Sequence, residues 1–415
     1  MTTSARDIAY RGFRFPADLA TGSRTGLRAG RHGLVPGGAV GRLTHPDPDG
    51  RPRRYEWGAW TSPPVPVGFA VREVVPSWTA DAPAGCWLRA ELRGWHGDAA
   101  ATGWYALGDW AADETTVRRT SVPGQRDADA RVETDTLLVG DATVTGWQLR
   151  MTLLRPEDTR RGPVLRTAGA VASGALPPAD APAPVDRGGP AGEVDRDRPG
   201  SGGGEGGAPG SGRGRVLDVP RWSQRLHADR YPQWGGGGDA WCSPTSTAMV
   251  LAYWNASPAP RQYAWVRPPG PRPAVVHAAR QCYDQAYAGT GNWAFTTAYA
   301  GLHGMDAFVT RLRSLTEAEA FVAAGIPLVL STAYRRGQVP GLDYDTAGHL
   351  LVLVGFTAGG DPVLNDPYAP NDDAVRRTVP RDRFEAAWQQ GSGGMAYVIR
   401  PPDVPLPARP AQPNW

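Results

Sequence analysis

Cys242 is the residue whose setting most suggests chemistry. It directly follows the glycine-rich stretch GGGGDAW and directly precedes SPTSTAMVLAYW, so a flexible loop delivers a thiol to the first turn of an apolar helix. Pro244 fits that turn, where a missing N–H costs nothing. Unpaired amides and the helix dipole at this position favour a thiolate and lower the thiol pKa. The same amides can point at a developing oxyanion. A buried, inert cysteine is the competing reading of this local pattern.

His349 lies in GHLLVLVGF, between a glycine and an apolar strand. A histidine at the mouth of a buried strand is held rigidly while its ring faces a cleft, which suits a general base; a turn or capping histidine is the alternative. Seventeen residues on, Asp366 ends the short strand of VLNDPY. Two neighbouring antiparallel strands can bring Asp366 against His349, so that a carboxylate fixes the imidazole tautomer. Asn365 would point to the opposite face, and Asp361 would sit in the intervening turn.

An oxyanion donor upstream of the thiol has two side-chain candidates, Gln224 in VPRWSQ and Gln233 in YPQWGG. Gln224 is preferred, because it follows a short strand-like piece that would reach the domain at the cleft. The polar aromatic stretch GTGNWAF offers Asn292 and Trp293 as a substrate-binding wall, against a loop that merely closes the helical half. Trp241, beside the thiol, either lines a neighbouring subsite or anchors the helix. His277 and Cys282 do not share a helix face and make no second pair. Cys86 reads as core and His303 as a loop residue.

These residues need a scaffold, and the chain changes character along its length. Residues 1–50 are rich in Gly, Arg and Pro, and read as an extended arm or irregular first strands. Strand-like pieces follow at 65–75, 86–92, 103–107, 130–138 and 143–153, broken by Pro, Gly and Asp. They predict an all-β sandwich or jelly-roll-like domain over 51–173. Residues 174–215 are Pro, Gly, Asp and Ala with little to bury, and read as a flexible linker that lets two domains move independently.

From 216 to 401 both periods occur. Helices are expected at 244–254, 273–287 and 317–324, and strands at 326–331, 349–357, 361–365 and 395–400. A nucleophile helix packed on an antiparallel sheet gives an α+β domain, with 402–415 as a tail.

Composition bounds the function. Hydrophobic residues make up 41% and charged residues 20% of 415, which fits globular domains. The formal net charge of +3, with no long basic stripe, argues against a nucleic-acid partner. The three cysteines, Cys86, Cys242 and Cys282, are too few and scattered for a disulfide framework or zinc site, and no metal or other cofactor is expected. No run of eighteen apolar residues and no apolar leader stretch occurs in the sequence, so a membrane span is not expected and a cytoplasmic location is, unless another export route or a different start applies. The 16 tryptophans, eight before residue 150 and eight after 220, suit core packing or a ligand groove.

Six blocks in order, VPRWSQ, DAWCSPTSTAMVLAYW, YAGTGNWAFTTAYA, LTEAEAFVAAGIPLVLSTAY, GHLLVLVGF and NDPYAPNDDAVRRTVPRDRFEAAW, resemble the bacterial papain-like cysteine peptidase domains related to the double-glycine-leader peptidases, the C39-like family, in its stand-alone actinobacterial form. The resemblance covers roughly 216–400. It implies Cys242 as nucleophile, His349 as base, Asp366 as orienting acid and Gln224 as oxyanion donor. The upstream β-rich region is similar to the one that precedes this domain in such proteins. The chain has no transporter domain and no G-x-x-x-x-G-K-[ST] loop, so the leader substrate is not carried over. The expected activity is amide hydrolysis of a peptide or protein. Acyl transfer through the same thioester, or a binding protein on the same scaffold, are the alternatives. The N-terminal domain would suit a cell-envelope polymer.

Overall fold

The computed structural model describes residues 6–176 and 212–415. Most of the expected linker, 177–211, lies outside the described residues. Among those described, no helix is long and apolar enough to cross a membrane.

The N-terminal part is built from two antiparallel sheets of seven and eight strands among the described residues. The first is centred on Glu73–Asp81 and Val164–Ser173, and carries the hairpin Ala130–Glu133/Thr136–Val139 at one edge. The second is centred on Trp87–His96 and Gly146–Pro156. Inward-facing side chains of both, such as Val74, Trp78, Leu88, Leu92, Leu149 and Leu165, share one core. The N-terminal arm resolves into strands: Ile8–Arg14 pairs along Val164–Ser173 with Ile8 opposite Ser173.

The C-terminal part is an antiparallel sheet of six strands in the order Asp306–Arg311, Met395–Arg400, Leu328–Tyr334, Thr346–Phe356, Pro362–Asn365 and Arg376–Thr378. Helices α1 (Cys242–Tyr253), α2 (Pro273–Cys282) and α3 (Trp293–Leu302) share a core with residues of this sheet that include Val329, Val352 and Tyr397. Helices α4 (Leu315–Ala323) and α5 (Arg381–Ser392) share a second core with the alternate residues, such as Leu328, Leu351 and Val398. The period-2 alternation of a strand divides these two sets between the sheet's faces. Helix α1 is buried from Ser243 to Leu251, on every side, as expected of a helix held inside a domain rather than on its surface.

Three expectations are corrected. The segment 289–295 is not an irregular wall: Asn292 caps α3 by accepting the Phe295 N–H at 3.0 Å. The residues after 401 are not a free tail. Pro413 accepts the Tyr10 N–H, and Trp415 packs edge-on against Phe321 at 5.0 Å.

The two parts are not independent bodies either. Phe295 of α3 is fully buried in the N-terminal core, 6.2 Å from Trp78 ring to ring. Gly108 is obligatory there, because a Cβ would collide with the Phe295 ring. Around this plug, Asp284 accepts the N–H and hydroxyl of Ser121, and buried Arg119 donates to the Arg280 carbonyl at 2.6 Å. Buried aromatic surface and hydrogen bonds across the boundary of this kind fix a domain seam. The last residues of the expected linker also dock, with Arg213 on Glu319 at 3.1 Å.

Candidate functional site

Helix α1 begins at Cys242 itself. The amides of its first turn therefore precede the i→i−4 ladder and remain free for other acceptors. The backbone amides of Leu350 and Ser243 lie where they favour the charged form of the thiol. Leu350 belongs to Thr346–Phe356, so the strand that supplies an amide also carries His349, buried at its mouth.

The His349 ring has a partner on each side. Its Nε2 donates to Asp366 Oδ1 at 2.9 Å, and the ring is also electrostatically paired with the Cys242 thiol. With Nε2 committed to the carboxylate, Nδ1 is the nitrogen left for sulfur. Asp366 follows Pro362–Asn365 directly, and its own N–H is held by the Val375 carbonyl. Three donors converge on Asp366 Oδ1: His349 Nε2, the Tyr368 N–H at 3.0 Å and the Tyr344 hydroxyl at 3.1 Å. Tyr344 also stands edge-on to the imidazole, at 5.6 Å and 88°.

Electrostatics follow from this geometry. Burial alone would raise the Cys242 pKa, but the His349 hydrogen bond and charge, with the two amides, bring it below the ordinary thiol value. Burial alone would lower that of His349; its bonds to Asp366 and Cys242 outweigh this and push it up to about 10. Asp366 is held below the usual carboxylate range, because the His349 bond and charge and the Tyr368 and Tyr344 donors outweigh burial. The favoured state is a thiolate beside an imidazolium, which behaves as one coupled unit.

Cys242 and His349 open onto a cavity of about 820 Å³. Its lining from the C-terminal part includes Asp239, Tyr287, Trp293, Thr332, Tyr344 and Tyr368. Its opposite wall comes from the N-terminal part, through Glu133–Thr136 of the edge hairpin with Glu73. The two walls are tied where Asp135 Oδ2 accepts the Trp293 N–H at 2.5 Å. Burial pushes the Asp135 carboxyl up to about 6, despite the Trp293 and Thr136 donors. No group of three His, Cys, Asp or Glu side chains able to hold a metal occurs among the described residues.

The structure thus brings together Cys242, His349 and Asp366, with Trp293 on the cavity wall. Two expected substrate-binding residues lie elsewhere. Trp241 is fully buried in the helical core and its indole N–H donates to the Trp234 carbonyl at 2.7 Å. Asn292 is buried, with its amide nitrogen on Asp284 Oδ2 at 2.9 Å. An indole and a helix-capping amide with these commitments are structural anchors. Gln233 is exposed and Gln224 buried. Gln224 Nε2 donates to the Asp239 carbonyl at 2.7 Å, in the turn just before Cys242, and its backbone N–H donates to Pro367, just after Asp366. Gln224 therefore ties the thiol's loop to the carboxylate's loop, while neither glutamine lines the cavity.

Tyr344, Tyr368, Tyr287 and Asp135 escape sequence reasoning. Tyr344 sits in an irregular loop five residues before His349, and Tyr368 lies inside the NDPY block, whose acid drew the assignment. Asp135 comes from the other half of the chain.

A half-buried cysteine at a helix N-terminus, backed by a buried His–Asp pair and facing a cleft, defines the class of arrangement found in thiol-dependent hydrolases. Residues 9–173 match the peptidase C39 N-terminal domain family, and residues 216–395 match the peptidase C39-like family. The chain is a C39-like protein of actinobacterial type. No curated protein matches it.

Proposed function

We propose that this protein is a cysteine peptidase or related amide hydrolase on a papain-like α+β domain, acting through Cys242, His349 and Asp366. The observation that carries the reading is the His349 ring held between the Cys242 sulfur and Asp366 Oδ1 at the floor of an open cavity. The Cys242 thiolate attacks the amide carbon, and the carbonyl π pair moves to oxygen. The Cys242 N–H, at the start of α1, is the backbone donor for that oxygen, and Gln224, whose amide holds the turn just before Cys242, is the side-chain candidate. Protonated His349 then gives its proton to the amine as the C–N bond breaks, leaving a thioester. Water, deprotonated by His349, attacks the thioester and releases the acid and the thiolate. Asp366 keeps the imidazole in its tautomer throughout.

The experiment is mass spectrometry of the full chain after reaction with a thiol-directed peptidyl probe, with turnover of a peptide library measured in parallel. Modification at Cys242, lost in His349→Ala, together with hydrolysis lost in Cys242→Ala, is the expected result. Turnover that persists in Cys242→Ala would sink the proposal. Products carrying an added amine would identify acyl transfer, and labelling without any turnover would identify a binding protein on this scaffold.

A further inference from the structure

The cavity has a second charged feature, at the seam between the two parts of the chain. Arg6, just before the first strand, and Arg311, at the end of Asp306–Arg311, both line the cavity, with side chains only 4% and 5% exposed. Their guanidinium groups lie side by side over Gly393, where a Cβ would collide with both. One carboxylate oxygen serves the two: Glu73 Oε2 lies 3.0 Å from Arg6 Nη2 and 2.5 Å from Arg311 Nη2. Arg6 Nε is spent on the Gly174 carbonyl and Arg311 Nη1 on that of Ser392. Arg6 Nη1 and Arg311 Nε remain buried without an acceptor among the described residues.

Two cations against one directly paired anion is an unfavourable arrangement for buried groups, and donors left without acceptors add to its cost. Burial and the neighbouring Arg6 charge, only partly offset by the charges of Glu73 and Asp135, lower the Arg311 pKa to about 10. Asp135 on the same wall does not complete the pairing: its oxygens are taken by the Trp293 N–H and the Thr136 hydroxyl, and no ion pair joins it to either arginine among the described residues. The cluster is continuous with the thiol site. Thr332 pairs with His349 across the sheet, the neighbouring Ser331 carbonyl accepts from the Ser392 hydroxyl, and the Ser392 carbonyl holds Arg311.

We infer that the Arg6–Arg311 pair is a carboxylate-recognising subsite of the cleft, taking substrates that carry an acidic side chain or a free chain-end carboxylate. A guanidinium fork matches a carboxylate in shape and charge. Such a group brings the missing negative charge to a place that belongs to neither part of the chain alone. The inference rests on the reading that the cleft binds peptides, and its test separates the two.

Binding is measured by calorimetry on the full-length Cys242→Ala variant, using octapeptides matched as Glu against Gln and as chain-end acid against amide. Carboxylate forms should bind at least tenfold tighter, and the Glu/Gln and acid/amide arms tell side chain from chain end. Arg6→Gln should erase the difference. Glu73→Gln, which removes the internal competitor, should widen it, an effect that a purely structural ion pair would not produce. If Arg6→Gln melts early, Glu73→Gln and glutarate against glutaramide as small probes decide the matter. Equal binding of the acid and neutral forms, or a preference unchanged in a folded Arg6→Gln protein, overturns the subsite. Wild-type cleavage without carboxylate preference sinks the subsite but leaves the hydrolase standing; selective binding without cleavage does the reverse.

Discussion

Tyr344 donates its hydroxyl to Asp366 Oδ1, the same oxygen that receives His349 Nε2, and sets its ring edge-on to the imidazole. It therefore touches the histidine and the acid that steadies it, while the loop that carries it borders the cavity. Tyr344→Phe keeps the ring and removes one donor to a buried carboxylate, a bond worth about 1.5–3 kcal/mol. The rate of Cys242 alkylation by iodoacetamide at neutral pH should fall about tenfold in this variant. Tyr344→Ala, which also uncovers the His–Asp bond to water, should fall further. Equal rates in all three proteins would show that Tyr344 does not position the pair.

The ion pair sets a pH window. Cys242 titrates below the ordinary thiol value of 9.0, and His349 is raised to about 10. Alkylation should thus rise at a pH below that of a free cysteine, run flat, and change again near pH 10 as the imidazolium loses its proton. In stability the signs are opposite for His349 and Asp366. The raised His349 pKa contributes fully below about 6.5, and its contribution fades as pH rises through about 10. The depressed Asp366 pKa contributes above about 3.9 and fades as pH falls through its folded value. Asp366→Asn should flatten the acid limb of a melting-temperature profile, and an unchanged acid limb would contradict the assignment.

Gln224 and Gln233 separate cleanly. One amide hydrogen of Gln224 holds the turn before Cys242 through the Asp239 carbonyl, and the proposed oxyanion role falls to the other. Loss of an oxyanion donor costs about 10²–10³ in kcat. Gln224→Ala should show a loss of that order, largely in kcat, whereas exposed Gln233→Ala should leave kinetics and melting temperature within error. A Gln224→Ala protein with normal kcat would leave the Cys242 amide as the working donor.

How far the fold and site were legible depends on where each signal sat. Cys242, His349 and Asp366 each lie at the junction of a polar turn and an apolar element, which a sequence displays locally. Helix α3 is not legible in the sequence because it is buried from Ala294 to Gly301 and so has no polar stripe to give it a period. Its Asn292 cap was the available cue. Helix α5 has readable boundaries, Pro380 before it and a left-handed Gly393 after it. Asp135, Arg6 and Glu73 reach the cavity only because two distant halves of the chain dock, and nothing periodic in either half encodes that docking.

That docking hinges on Phe295, a side chain from α3 buried in the N-terminal core against Trp78. Phe295→Ala should cost about 3–5 kcal/mol at this site. The seam also builds the cavity wall, because α3 begins at Trp293, whose N–H is held by Asp135. Loss of the plug should therefore do two things together. Thermal unfolding should split from one transition into two as the parts uncouple. Peptide binding should weaken while the intrinsic alkylation of Cys242 by a small reagent changes little, since Cys242, His349 and Asp366 all lie in the C-terminal part. If both measures instead fall in parallel, the N-terminal part supports the thiol itself rather than the wall that faces it.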